Sequence, residues 1–167
     1  MTQAYKICCE LLLARNYIIL EKLEDKIIAL KPDGQQIIVF FSDVNKFNVK
    51  NIQVYITLMN ELNIFHAIII YKNGVTAFTQ KAIEQSIEMK FELFAQEDLQ
   101  YNITTHRLQP IFEKLNETQS ELLIKQFGTK FPIMRKEDPI VKFYDYQKGD
   151  LIKIIRKNGY ITYRIVK

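Results

Sequence analysis

The chain is poor in the residues from which catalytic sites are most often built. Among 167 residues there are five glycines, four prolines, two cysteines, two histidines and no tryptophan. With so little glycine, and neither G-x-x-x-x-G-K-[ST] nor G-x-G-x-x-G present, a backbone cradle for phosphate is hard to build. His66 and His106 stand forty positions apart, and neither has a Cys or His at metal-ligand spacing. No serine sits in a nucleophile elbow. Cys8 and Cys9 are adjacent, and neighbours on a helix point apart, so no internal disulfide framework is expected. Together with the absence of a signal-peptide pattern, this points to a reducing, intracellular setting. No apolar run is long enough to span a bilayer, so no membrane partner is expected. The expectation is of no catalytic residue, no metal site and no cofactor.

What is present describes a globular chain. Hydrophobic residues make up 48% and charged residues 25%. The net charge of +4 is unevenly spread. Residues 1–97 carry 10 Lys/Arg against 11 Asp/Glu, a balance of −1, and residues 98–167 carry 13 against 8, a balance of +5. The halves differ in electrostatic character, but +5 does not by itself imply nucleic acid.

Periodicity predicts a helix over 3–16 with Tyr5, Cys8, Leu12 and Leu13 on one side. Strands DKIIALK and QQIIVFF follow, joined by Pro32-Asp33-Gly34, a turn in which proline fixes φ and glycine takes positive φ. Asn48 is placed to cap a helix carrying Ile52, Tyr55, Ile56, Met59 and Leu62. The run HAIIIYK reads as a strand buried on both faces. A helix to about Glu88 and the strand MKFELF complete a mixed sheet with packed helices. Beyond residue 97 the pattern changes. Segment ITTHRL reads as a strand ended by Pro110. In NETQSELLIKQFG, Thr118 and Glu121 can form a capping box and Gly128 a left-handed C-cap. Asp138-Pro139 opens a short helix, with Asp capping and Pro at the first helical position.

The last stretch, GDLIKIIRKNGYITYRIVK, reads as a hairpin turning at Asn158-Gly159. A two-residue loop pairs Lys157 with Tyr160, Ile155 with Thr162, Lys153 with Arg164 and Leu151 with Val166 on one side. Lys153 opposite Arg164 is a like-charge pair, unfavourable by itself. Either the side chains splay into solvent, or something acidic covers them. The same mixture of Tyr160 with Lys153, Lys157 and Arg164 would suit a stand-alone nucleic-acid-binding module. A third reading is a metal-dependent nuclease. The mixed sheet resembles restriction-endonuclease-like folds, and Asp33 with Glu24-Asp25-Lys26 or Glu88-Met89-Lys90 supplies the acid and Asp/Glu-x-Lys elements. Asp33, however, falls at a turn tip.

The C-terminal letters carry a resemblance. Asp138-Pro139, the aromatic pair Phe143-Tyr144, Gly149-Asp150, the strand Ile152 to Arg156 and Tyr163-Arg164 follow one another as in the fifth subunit common to the eukaryotic RNA polymerases, a family with an archaeal counterpart. Upstream, Asn102, Ile103, Thr104, His106, Leu108 and Pro110 match that family's Asn-Ile-Thr-x-His-x-Leu-x-Pro, and Pro132 falls on a family proline. NIQVYITLMNELNIFHAIIIYKNGVT resembles the jaw-domain run, which the archaeal form lacks. Ala77 and Phe78 stand where the family turn continues with Pro and Ser, and Phe112 replaces a family histidine.

The resemblance implies an α+β protein with a jaw domain at 1–97 and an assembly domain at 98–167. It implies a non-catalytic polymerase subunit whose partners are the largest subunit, an omega-like subunit and, weakly, downstream duplex DNA. The partner-binding residues would be Asp138, Pro139, Phe143, Tyr144, Lys153, Arg156, Tyr163, Arg164 and His106, with Tyr146 a further aromatic candidate and Thr76 close to DNA. The compact, Ile/Lys/Asn-rich chain suggests a large DNA virus, hence virion and host cytoplasm; a cellular form would be nuclear.

Overall fold

The structure, a computed structural model, describes residues 2–167. It is α+β and divides into two compact units, one ending at Tyr101 and the other spanning Asn102–Lys167.

The first unit opens with α1 (Gln3–Ala14), which buries Ala4, Tyr5, Ile7, Cys8, Leu11 and Leu12. Leu13 is 59% exposed rather than on the Tyr5–Cys8–Leu12 side. A helical step of about 100° carries it off the stripe that Leu12 shares with Cys8. Three antiparallel strands follow: β1 (Ile18–Lys22), β2 (Lys26–Leu30) and β3 (Gln36–Ser42). β4 (His66–Tyr71) and β5 (Lys90–Ala95) then add in parallel, through α2 (Val49–Leu62) and α3 (Ala77–Glu84). The resulting order is β1-β2-β3-β4-β5, a mixed sheet. No sequence pattern predicts β1. Its register shifts at Leu20 and four of its five residues are exposed, so no alternation marks it.

Local chemistry explains the joints. Gly34 takes φ +88, its N–H donates to the Lys31 carbonyl, and Asp33 accepts from the Gln35 N–H at 2.9 Å. Asn48 caps α2 reciprocally with Asn51. β4 lies between β3 and β5, and Ala67, Ile68, Ile69 and Ile70 are buried, as its unbroken apolar run requires.

The second unit holds β6 (Ile111–Lys114), α4 (Glu117–Phe127), β7 (Ile133–Met134), α5 (Pro139–Tyr144), β8 (Leu151–Ile155) and β9 (Ile161–Val166). Its sheet order is β6-β8-β9-β7, with only the β7–β9 pair parallel. ITTHRL is not a strand. Asn102 accepts from the Thr104 N–H and hydroxyl at 2.9 and 2.6 Å and winds Ile103–Thr105 into a 3-10 turn. Such local bonds compete with a ladder. The strand starts after Pro110 instead. α4 is capped by Asn116 with Gln119, not by Thr118 with Glu121, and Gly128 ends it at φ +80 and ψ −169, a positive φ but not the expected left-handed helical cap.

The terminal hairpin differs by one residue from the expected register. Leu151 pairs Ile165, Ile152 pairs Arg164, Lys153 pairs Tyr163 and Ile155 pairs Ile161. The loop holds three residues, Lys157 to Gly159. The Gly159 N–H donates to the Arg156 carbonyl and the Arg156 N–H to the Tyr160 carbonyl, both at 2.9 Å. Gly159 has φ +79 whereas Asn158 has no positive φ, which is a turn closed by a glycine bulge rather than a two-residue turn. A one-residue slip moves side chains to the opposite face. Lys153 and Arg164 are therefore on different faces, and the like-charge pair does not exist. Lys153 instead donates to Glu113 on β6 at 3.2 Å.

This register is testable by double-mutant cycles read from denaturant melts. Lys153 with Glu113, both partly exposed, should couple by about 0.2–1 kcal/mol and lose that coupling in high salt. Lys153 with Arg164 should show none. The reverse outcome would restore the two-residue loop.

Candidate functional site

The pairings of the second unit place its side chains on a grid. On the outer face, Ile111, Ile155 and Ile161 form one row across three strands. Glu113, Lys153 and Tyr163 form the next. Leu151, Ile165 and Ile133 form a third, buried at Leu151 and open at Ile133. Ile111 is 61% exposed and Ile133 53%, an unusual density of open isoleucine on one sheet face. The opposite face carries the core: Ile152, Ile154, Val166 and Met134 pack with Ile140, Val141 and Tyr146.

The predicted site residues scatter over both faces. Lys153 and Tyr163 share the outer face. Arg164 lies on the core face beyond the packed region, exposed, and lines a shallow pocket of about 400 Å³ with Arg135, Glu137 and Asp138. Asp138 caps α5 by accepting from the Ile140 N–H at 2.9 Å, and Pro139 is the first helical residue. Phe143 and Tyr146 are buried, so they are not exposed anchors; Tyr144 is half-buried and stacks on Tyr146 at 5.3 Å. Arg156 is exposed at the hairpin turn. His106 is exposed, and its Nδ1 accepts from the Leu108 N–H at 3.2 Å. In the first unit, Thr76 caps α3, accepting from the Thr79 N–H. Among the described residues, Arg156, Lys157 and Arg164 have no ion-pair partner.

Sequence reasoning missed one cluster in the first unit. Glu92 of β5 accepts two parallel bonds from Arg15, at 2.8 and 2.7 Å, and a third from His66 Nε2 at 2.7 Å. Tyr17 closes the group, its hydroxyl 3.5 Å from His66 Nδ1. Arg15 follows α1 directly and His66 opens β4, so the cluster ties the helix to two parallel strands. Burial alone would raise the Glu92 carboxyl. The His66 hydrogen bond and the Arg15 charge outweigh it and hold the pKa down at about 2.

Comparison with known proteins gives these surfaces a context. Residues 101–166 match the family model of RNA polymerase Rpb5, C-terminal domain. RPABC1, the subunit of DNA-directed RNA polymerases I, II and III of Caenorhabditis briggsae, is 32% identical over 141 residues, covering 80% of this chain and 67% of the relative. The chain belongs to the RNA polymerase Rpb5 family. The Dictyostelium discoideum member is 30% identical over 139 residues, covering 77% and 71%. A protein of Invertebrate iridescent virus 6, provisionally named DNA-directed RNA polymerase subunit 454R, is 40% identical over 117 residues. That match covers 63% of this chain and 64% of the viral protein's length. The Rpb5 C-terminal match takes in the whole isoleucine grid and every partner-binding candidate; Thr76 and the Glu92 cluster lie outside it. Among the described residues, no helix is long and apolar enough to cross a membrane.

The cluster predicts an acid limit. A carboxylate with a depressed folded pKa contributes stability above its unfolded value, about 4.3, and that contribution is lost as pH falls through about 2. Glu92→Gln should cost about 3–5 kcal/mol at neutral pH, by leaving Arg15 buried against a neutral amide. It should also flatten the fall in stability between pH 5 and 2. Chemical melts across that range measure both, and an unchanged pH profile would remove Glu92 from the account.

Proposed function

We propose that this chain is a non-catalytic subunit of a multi-subunit DNA-dependent RNA polymerase, docked on the largest subunit through its second unit. The observation that carries the docking is the outer face of the terminal sheet. Two isoleucine-bearing rows flank a charged row whose lysine is already paired with Glu113. Apolar rows on either side of a charge pair that is matched internally suit a permanent interface, since a bare charge between them would have to be desolvated. The unpaired cation Arg156, exposed at the turn, suits the rim, where it meets acidic groups of a neighbour, while Arg164 lies on the other face, outside this interface.

Under this reading the second unit is the assembly domain, near an omega-like subunit. The first unit is the jaw, its mixed sheet of the restriction-endonuclease-like kind, reaching toward downstream duplex with Thr76 on the near side. DNA contact there is weak and indirect, and the chain supplies no catalytic group. The 40% identity to a viral relative supports a viral polymerase, at work in the virion and host cytoplasm.

Tagged full-length protein expressed with its polymerase should co-purify with RNA-synthesising activity. Ile111→Glu combined with Ile161→Glu should reduce that recovery at least tenfold, the scale of losing one or two buried anchors. Both sites are exposed in the isolated chain, so the thermal melt should barely move. Recovery of a lone monomer under gentle lysis would overturn the subunit reading. Undiminished recovery of the double variant would move the docking face elsewhere, and DNA cutting with Mg²⁺ that Lys90→Ala abolishes would revive the nuclease.

A further inference from the structure

α2 and α3 each connect neighbouring parallel strands, β3 to β4 and β4 to β5. Right-handed crossovers in one direction along a sheet place both helices on the same face. The core there joins Ile38, Phe40, Ala67 and Ile69 of the strands to Ile52, Met59 and Ile83 of the helices. β2 presents Lys26, Ile28 and Leu30 to that same face, because Lys26 pairs Phe40 and Ile28 pairs Ile38. β1 adds Ile18, which pairs Leu30 and is 60% exposed. Ile28 packs on the edge of that core, so the helical layer thins out over β2 and leaves Ile18 of β1 open.

Beside α2, where the layer thins, runs a cleft of about 440 Å³. Phe40 and Tyr55 line it, their rings stacked at 4.0 Å, along with Val54 and Leu58 of α2. Val54 is 66% exposed. Asp25 and Glu61, both exposed, also line it, and its lining includes no lysine or arginine. Negative charge reaches the apolar part as well. Burial raises the Tyr55 pKa, a hydrogen bond to Ser42 opposes the rise, and the charges of Asp25 and Asp43 add to it.

We propose that this cleft seats a short amphipathic segment of a partner polypeptide, placing an aliphatic side chain against Val54, Tyr55 and Leu58 and a lysine or arginine against Asp25 or Glu61. Nucleic acid and anionic lipid carry the wrong sign for the rim. A purely apolar segment would leave both carboxylates to be desolvated without a partner. The surface is separate from the outer face of the second unit, so this proposal stands or falls independently of polymerase docking.

The test uses the isotope-labelled full chain and two synthetic octapeptides of alternating leucine with lysine or with glutamate, followed by backbone amide NMR. The lysine peptide should shift the amides of Asp25, Phe40, Phe41 and residues 54–61 in a saturable way, and the glutamate peptide should not. Asp25→Lys combined with Glu61→Lys should weaken the lysine peptide at least tenfold. Both residues are exposed, so the unshifted remainder of the spectrum reports an intact fold. Shifts centred elsewhere, an equal response to the two peptides, or unchanged affinity in the double variant would overturn the proposal. So would shifts of these amides that grow with protein concentration alone, because the occupant would then be a second copy.

Discussion

Alternation of the pleat governs what the second unit can do. In a paired strand, successive side chains point to opposite faces, so the register of one hairpin decides which residues face outward and which meet the core. Here that register is set by Gly159, whose positive φ allows the three-residue loop. With it, Ile155 and Ile161 line up with Ile111 on one face, while Ile152 and Ile154 pack inward. The charged row then satisfies itself through Lys153 and Glu113. Nothing acidic is needed from outside to make the ribbon tolerable.

The first unit solves a different problem. β3 and β4 are buried on both faces, and they need α1 on one side and α2 with α3 on the other. A charged group inside such a layer is costly unless paired and hydrogen-bonded. Glu92 meets that condition through Arg15 and His66, and in doing so it sets the position where α1 ends against the sheet. Removing one partner leaves a buried charge uncompensated, whereas an apolar replacement of the whole group with similar shape could pack as well.

How legible each part was depended on the range of the interaction behind it. The Pro32-Asp33-Gly34 turn, the Asn48 cap, the Asp138-Pro139 helix start and the buried strand at 66–71 are local events, decided by a few neighbouring residues, and each forms as the letters suggest. The Glu92 cluster joins residues 77 and 26 positions apart, and nothing local marks it. β1 was illegible because an exposed, bulged edge strand has no alternation to show. The hairpin was half legible. Asn158-Gly159 announced a turn, but the same dipeptide serves two- and three-residue loops, and only the strand pairing separates them. The polymerase motifs were readable as a family pattern, yet Phe143 and Tyr146 proved to be buried, because an aromatic pair looks the same in a core and at an interface.

The order β6-β8-β9-β7 has a consequence for how the second unit is born. β7 pairs only with β9, a strand that leaves the ribosome well after it. Until Ile165 and Val166 emerge, Ile133 and Met134 have no ladder to join, and Met134 cannot enter its packed position. Closure of this sheet is therefore a late, non-local event, of the kind that folds slowly and leaves apolar strands waiting in the open.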